Sequence, residues 1–229
     1  MHDQILLSGI KLFDLLSRDQ IESLSQSCSW RHYTADQQVV GYKDFSRDVY
    51  FIISGTVRVK IFSLEGKEIS YRDIGSGEIF GELAAIDGGM RSADVIALTD
   101  SQIARMSPET FWGVLRDQPG VAAELLRHLT KMIRMYSDRI FEFTALAVKN
   151  RIHAEILRLA RTHLGPHNTA IIDPAPTHAE IASRISTHRE AVTREINQLK
   201  RAGLVNHKSG ALQVLDVRHL EQMVDEVMG

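Results

Sequence analysis

Cysteine occurs once in the 229 residues, at Cys28, so one chain can build neither a disulfide framework nor a cysteine-ligated zinc or iron-sulfur site. A reduced, buried thiol is the expectation for it. No apolar run approaches the roughly 18 residues that a membrane-crossing helix needs. Met1 to Lys11 also lacks the basic stretch, apolar core and small-residue cleavage site of a secretory leader. A cytoplasmic protein with no membrane partner is expected. Charge of one sign is scarce as well: the formal net charge is -2, which gives no global pull toward nucleic acid. Motifs of covalent catalysis are missing, with no hydrolase elbow, Walker loop or metalloprotease pattern. His163 and His167 stand four apart, but Gly165 and Pro166 break the helix that would align them on a metal. Neither an enzyme nor a metal site is expected.

What is present is enough apolar residue, 44%, to fill the cores of two domains. Leu12, Leu15, Leu16, Ile21 and Leu24 are spaced as in short helices. From Trp30 to Met106 the texture changes to short apolar or alternating runs, such as Val49 to Ile53 and Val57 to Phe62, punctuated by Gly55, Gly66, Gly75, Gly77 and Gly81. This pattern predicts an antiparallel β-roll, with a hairpin turn at Glu65-Gly66.

After Pro119 the period lengthens. Ala122, Leu126, Leu129, Ile133, Tyr136, Ile140, Phe143 and Ala147 alternate spacings of four and three, a heptad seam that suits a coiled coil with a second copy of the chain. A further helix, Asn150 to His163, stops before Gly165-Pro166. Asp173 to Pro176 forms a stiff approach, and Thr177 with Glu180 forms a capping box that opens the next helix. That helix runs to about Arg184, and a second begins at His188. Leu204-Val205 and Leu212 to Leu215 then predict a two-stranded wing at the end of the chain. The fold class is α+β: a roll at 1–117, a long dimerisation helix at 118–148 and a winged helix-turn-helix at 149–229.

Although the whole chain is slightly acidic, Thr177 to Lys208 is net positive through Arg184, Arg189, Arg194, Lys200, Arg201 and Lys208. Ile181, Ile185, Val192, Ile196 and Leu199 should pack the two helices together. Arg189, Glu190, Thr193 and Arg194 are then left on the exposed face. Arginine can donate two parallel hydrogen bonds to guanine, and glutamate can accept from cytosine, so the face suits a major groove. Thr177 and His188, at the starts of the two helices, complete the expected contact set with double-stranded DNA.

In the first half, Gly81 lets the backbone approach a ligand closely. Glu82, Leu83 and Ala84 can begin a helical turn whose free N–H groups face a phosphate, and Arg91 can return opposite them while Ser92 adds a hydroxyl. Glu82 suits a ribose 2′-hydroxyl rather than the phosphate.

These two constellations resemble the cyclic-AMP receptor protein (CRP/FNR) family of bacterial transcription regulators. Arg189, Glu190 and Arg194 match its recognition helix, and Gly81 to Ser92 matches the phosphate-binding cassette of its cyclic-nucleotide-binding jelly roll, the likeness covering Phe13 to Phe111. Thr193 replaces a glycine of the best-known member, as Ser186 replaces its turn glycine. The resemblance implies cyclic AMP, or cyclic GMP, as allosteric ligand, with Tyr136 and Ser137 at the base. It also implies a homodimer on an inverted repeat of TGTGA-like half-sites, with Arg189 and Arg194 on guanines and Glu190 on a cytosine. RNA polymerase is a further partner if the protein activates. Nucleotide bound at Glu82, Arg91, Ser92 and Ser137 would bias the seam toward a DNA-competent arrangement. A regulator of the same build could instead sense haem or redox state, although such members often lose the Glu-Arg pair.

Overall fold

The computed structural model describes residues 7–62 and 68–228. They group into two compact units, one of residues 7–62 and 70–133 and one of 68–69 and 134–228. The expected turn at Glu65-Gly66 lies outside the described residues.

In the first unit a single 3-10 turn at Lys11–Phe13 precedes helix α1 (Arg18–Gln26). The Ser17 hydroxyl accepts from the Gln20 N–H while the Gln20 side chain accepts from the Ser17 N–H, a reciprocal cap that sets the start of α1. Eight strands follow: β1 (Ser29–Tyr33), β2 (Gln38–Val40), β3 (Val49–Ser54), β4 (Thr56–Phe62), β5 (Glu68–Gly75), β6 (Ile79–Phe80), β7 (Asp94–Ala97) and β8 (Ser101–Met106). They make two four-stranded sheets, in the orders β1-β8-β3-β6 and β2-β7-β4-β5. The expected roll is therefore present.

Strand β3 shows why its apolar run is continuous. Tyr50 and Ile52 enter the core between the sheets, whereas Val49 and Phe51 enter a second core under the helices, so both faces of the strand are buried. Between β6 and β7 lies the short helix α2 (Glu82–Asp87), and after β8 comes α3 (Pro108–Asp117), capped by the Ser107 hydroxyl. Trp112 of α3 donates its indole N–H to the Ala85 carbonyl at 2.9 Å and so ties α2 to α3. Cys28 is half-buried at the edge of this core, and burial pushes its thiol up to about 11.

Helix α4 (Pro119–Ala145) begins in the first unit, where Val121 and Leu125 join the core, and continues into the second. Leu126, Ile133 and Ile140, spaced by seven, are 65%, 66% and 63% exposed. The helix ends at Ala145. Ala147, expected on the seam, instead precedes α5 (Val148–Arg161) as its N-terminal cap residue, because the chain turns there through an extended conformation. Among the described residues no helix is long and apolar enough to cross a membrane.

The second unit packs α5 against α6 (His178–Arg184) and α7 (Arg189–Arg201) through Ile152, Ile156, Ile181, Ile185, Val192, Ile196 and Leu199, as the apolar spacing predicted for the last five. Two elements were not expected. A third strand, β9 (Ala170–Ile172), pairs with β11 (Ala211–Val214), which in turn pairs with β10 (Val205–Lys208). The chain does not end on the wing but on α8 (Val217–Met228), whose Val217, Leu220 and Val224 complete the core.

Candidate functional site

The cassette forms around one glycine. Gly81 has φ +85, and a Cβ there would lie 2.7 Å from Arg91 Nη1, 2.8 Å from the Asp48 carbonyl oxygen and 3.1 Å from Tyr50. Both backbone and space therefore require glycine. The turn delivers Glu82, Leu83 and Ala84 as the first turn of α2, whose N–H groups have no carbonyl earlier in the helix to bond.

Arg91 comes back from the far side of the loop and is 4% exposed. Its Nη1–H donates to the Gly81 carbonyl at 2.9 Å, its Nη2–H to the Asp48 carbonyl at 2.8 Å and its Nε–H to the Ser46 hydroxyl at 3.1 Å. The guanidinium also lies over the Tyr50 ring at 5.4 Å, and Tyr50 stacks on Phe80 at 4.8 Å. Three of the five guanidinium N–H groups hold the arginine in place, and an anion can reach it only through what remains. Burial lowers its affinity for its proton, an effect opposed first by Tyr50 and Asp48, so a bound phosphate would restore what desolvation removes.

Glu82 is 3% exposed. Burial raises its pKa, opposed by its own backbone N–H and by the positive charges of Arg72 and Arg91. A carboxylate so placed gains from any hydroxyl that donates to it. Ser92 is exposed beside Arg91. Gly81, Glu82, Leu83, Ala84, Arg91 and Ser92 thus come together in the first unit. Tyr136 and Ser137 lie on α4 within the second unit, Tyr136 half-buried and Ser137 exposed. Residue types alone did not single out Ser46, Asp48 and Tyr50, the partners that hold Arg91. Tyr50 reads as core in an apolar run, and its contact with Arg91 spans 41 positions.

In the second unit the capping box expected at Thr177 is complete. The Thr177 hydroxyl accepts from the Glu180 N–H at 3.1 Å, and the Glu180 carboxylate accepts from the Thr177 N–H at 2.8 Å. Ser186 makes the turn with φ +50, the left-handed conformation that favours glycine. His188 holds the N-cap position of α7 in an extended conformation, with no side-chain bond to the helix, and His188, Arg189, Glu190 and Arg194 are exposed. Thr193 departs from its expected place on the open face. It is half-buried, its hydroxyl donating to the Arg189 carbonyl at 3.0 Å and meeting His178 Nδ1 at 2.7 Å. The reason is helical: a threonine hydroxyl readily bonds the carbonyl four residues back, and α6 crosses on that side.

Behind the exposed face, Glu195 of α7 meets His153 of α5 at 2.7 Å, both buried. Glu155 of α5, fully buried, gathers Arg139 of α4 at 3.0 Å, Arg184 of α6 at 3.5 Å and Arg158 of its own helix. Glu142 of α4 completes the cluster, 3.4 Å from Arg139 and 2.5 Å from Arg158. The long helix, α5 and the helix-turn-helix are thus joined by buried ion pairs.

Comparison with known proteins identifies a domain family in each half of the chain. The cyclic nucleotide-binding domain family matches residues 30–118, and the Crp-like helix-turn-helix domain matches residues 150–223. The chain is 27% identical over 217 residues to the cyclic AMP receptor protein of Thermus thermophilus, covering 95% of this chain and 98% of that one. Its fold matches a CooA mutant from Carboxydothermus hydrogenoformans with a TM-score of 0.81 at 18% identity, covering 96% of this chain and 99% of that one. It also matches CLP of Xanthomonas campestris, described as a c-di-GMP responsive global regulator, with a TM-score of 0.74 at 20% identity, covering 86% and 99%. With a nucleotide-binding roll before a Crp-like helix-turn-helix and these relatives along nearly its whole length, the chain belongs to the CRP/FNR family of DNA-binding transcription regulators.

Proposed function

We propose that the protein is a homodimeric regulator whose DNA binding is switched by a cyclic nucleotide, cyclic AMP or cyclic GMP, seated at Gly81, Glu82, Leu83, Ala84, Arg91 and Ser92. The observation that carries this reading is the Gly81 turn. Its positive φ turns the opening of α2 toward a buried Arg91, and it places a buried Glu82 carboxylate one residue further on. An anion at the arginine and a hydroxyl at the glutamate are what a cyclic phosphate fused to a ribose offers together. The Thermus relative is named for cyclic AMP, which favours that nucleotide. Tyr136 and Ser137 are assigned to the choice of base on sequence resemblance alone.

The exposed heptad residues Leu126, Ile133 and Ile140 support pairing of α4 with a second copy. Two copies present two recognition helices, which suits half-sites about 34 Å apart on one face of DNA. Arg189 and Arg194 read guanines and Glu190 a cytosine in a TGTGA-like inverted repeat, while Thr177 and His188 lie at the helix starts that face the backbone. Ligand must favour the DNA-competent arrangement, since equal affinity for both states shifts nothing.

Titration calorimetry with cyclic AMP and with cyclic GMP, repeated on Arg91→Lys and on a duplex carrying the repeat, tests the reading. Loss of nucleotide binding in the variant and nucleotide-enhanced binding of the duplex are expected. Undiminished binding by Arg91→Lys overturns the site. A duplex response to some other effector alone, such as the c-di-GMP of the Xanthomonas protein's description, overturns the ligand.

A further inference from the structure

The DNA-facing end of the second unit carries a histidine pair that the base-reading scheme does not use. His178 opens α6, half-buried against α7 and the wing. From α7 it meets the Thr193 hydroxyl at 2.7 Å and the charge of Arg189; from β10 it meets the His207 ring, edge-on at 6.2 Å; its own helix contributes Glu180, whose carboxylate is taken up by Thr177.

The hydrogen bonds decide the tautomer. Thr193 has one hydroxyl proton, and it goes to the Arg189 carbonyl at 3.0 Å. The hydroxyl oxygen can then only accept from His178, so the proton of the neutral ring sits on Nδ1 and the lone pair on Nε2. Taking up a second proton at Nε2 breaks no existing bond. It converts an acceptor into a charged donor beside Arg189.

We propose that His178 is a DNA-contacting residue that takes up a proton as it meets a backbone phosphodiester, coupling DNA affinity to pH. Burial, His207 and Arg189 all hold the free ring below its ordinary imidazole value. A phosphodiester against Nε2 replaces that repulsion with attraction and raises the value in the complex. A group whose pKa rises on binding strengthens the complex below the bound value, and the gain disappears as pH rises through it. DNA binding therefore tightens as pH falls from 8 toward 6. Thr193 is the positioning partner, since its hydroxyl aims the ring.

The inference rests on the DNA-binding reading, and it is separable from the base-reading part because a phosphate contact is indifferent to sequence. Fluorescence anisotropy of the full chain at saturating cyclic AMP, on a duplex with the TGTGA-type repeat and on a scrambled duplex, is measured at pH 6 and pH 8. Affinity for both duplexes should be at least about fivefold higher at pH 6, with a salt slope steeper by about 0.9 for each histidine engaged. His178→Gln should remove the pH effect and the change in slope, and His178→Lys should bind tightly at both pH values because its charge is permanent. His219→Gln, an exposed histidine of α8 outside this cluster and outside the DNA-contact set, should keep the pH effect. A flat wild-type profile, or an unchanged profile in His178→Gln and His178→Lys, overturns the proposal. Equal affinity for the two duplexes with the pH effect intact would overturn only the base-reading scheme. Absence of binding to either duplex at both pH values would overturn both.

Discussion

Replacing Glu155 by alanine should be among the most damaging single changes in the second unit. Its carboxylate is fully buried and receives Arg139 at 3.0 Å, Arg184 at 3.5 Å and Arg158. Arg139 and Arg184 are themselves buried, with 8% and 9% exposure, so little water can stand in for the missing carboxylate. The variant leaves Arg139 and Arg158 to share Glu142 and takes from Arg184 its pairing with Glu155. Breaking a buried pair from one side costs about 3–5 kcal/mol, because the abandoned charge stays buried. In a unit of this size one kcal/mol moves the melting midpoint by about 4–8 °C, so a fall of at least about 12 °C is expected. Urea unfolding followed by circular dichroism, with calorimetry of the same samples, measures it. Glu155→Gln keeps the shape and one acceptor oxygen and should fall between the two. A loss below about 1 kcal/mol for Glu155→Ala, the worth of an exposed pair, would refute the view that burial makes this cluster matter.

Three further outcomes follow from named contacts. Glu82→Gln should stabilise the ligand-free protein at pH 7. The folded-state pKa of Glu82 is raised, so the stability it contributes is present at low pH and is lost as pH rises from the ordinary value of 4.5 through the folded one. The same variant should weaken cyclic nucleotide binding at least about tenfold, as calorimetry would report; thermal melts at pH 4 and pH 7 showing no gain at the higher pH would contradict the burial argument. Ser186→Gly should raise stability by about 0.5–1 kcal/mol, since relief of the strain that φ +50 puts on a residue with a Cβ outweighs the destabilising unfolded-state entropy that glycine adds; a loss in denaturant melts would count against it. Ile133→Asp, 66% exposed on α4, should leave the single-chain melt nearly unchanged but shift light scattering toward the monomer mass.

Local chemistry was legible in the sequence wherever residues act on neighbours three or four positions away. The Thr177–Glu180 box, the Ser186 turn and the apolar stripes of α6 and α7 fall where spacing put them. The reach of α4 was overestimated by one seam position, because a heptad count continues through Ala147 although the backbone turns after Ala145. Strand β9 was missed because three residues carry almost no period, and only pairing with β11 makes them a strand. Helix α8 carried a usable signal in Val217, Leu220 and Val224.

By itself, then, the sequence determined the order of roll, long helix and helix-turn-helix, the glycine turn at Gly81 and the identity of the charged residues at both sites, because these follow from local φ preferences and short-range periodicity. Tertiary structure alone decided what those charges meet. Arg91 is held by carbonyls and a hydroxyl at Ser46, Asp48 and Gly81, Glu195 turns inward to His153 rather than out to solvent, and the Thr193 hydroxyl accepts from His178 instead of facing the open side. Most of these partners lie 15 to 45 positions apart, and their contacts are set by how helices and strands cross, which no local period encodes.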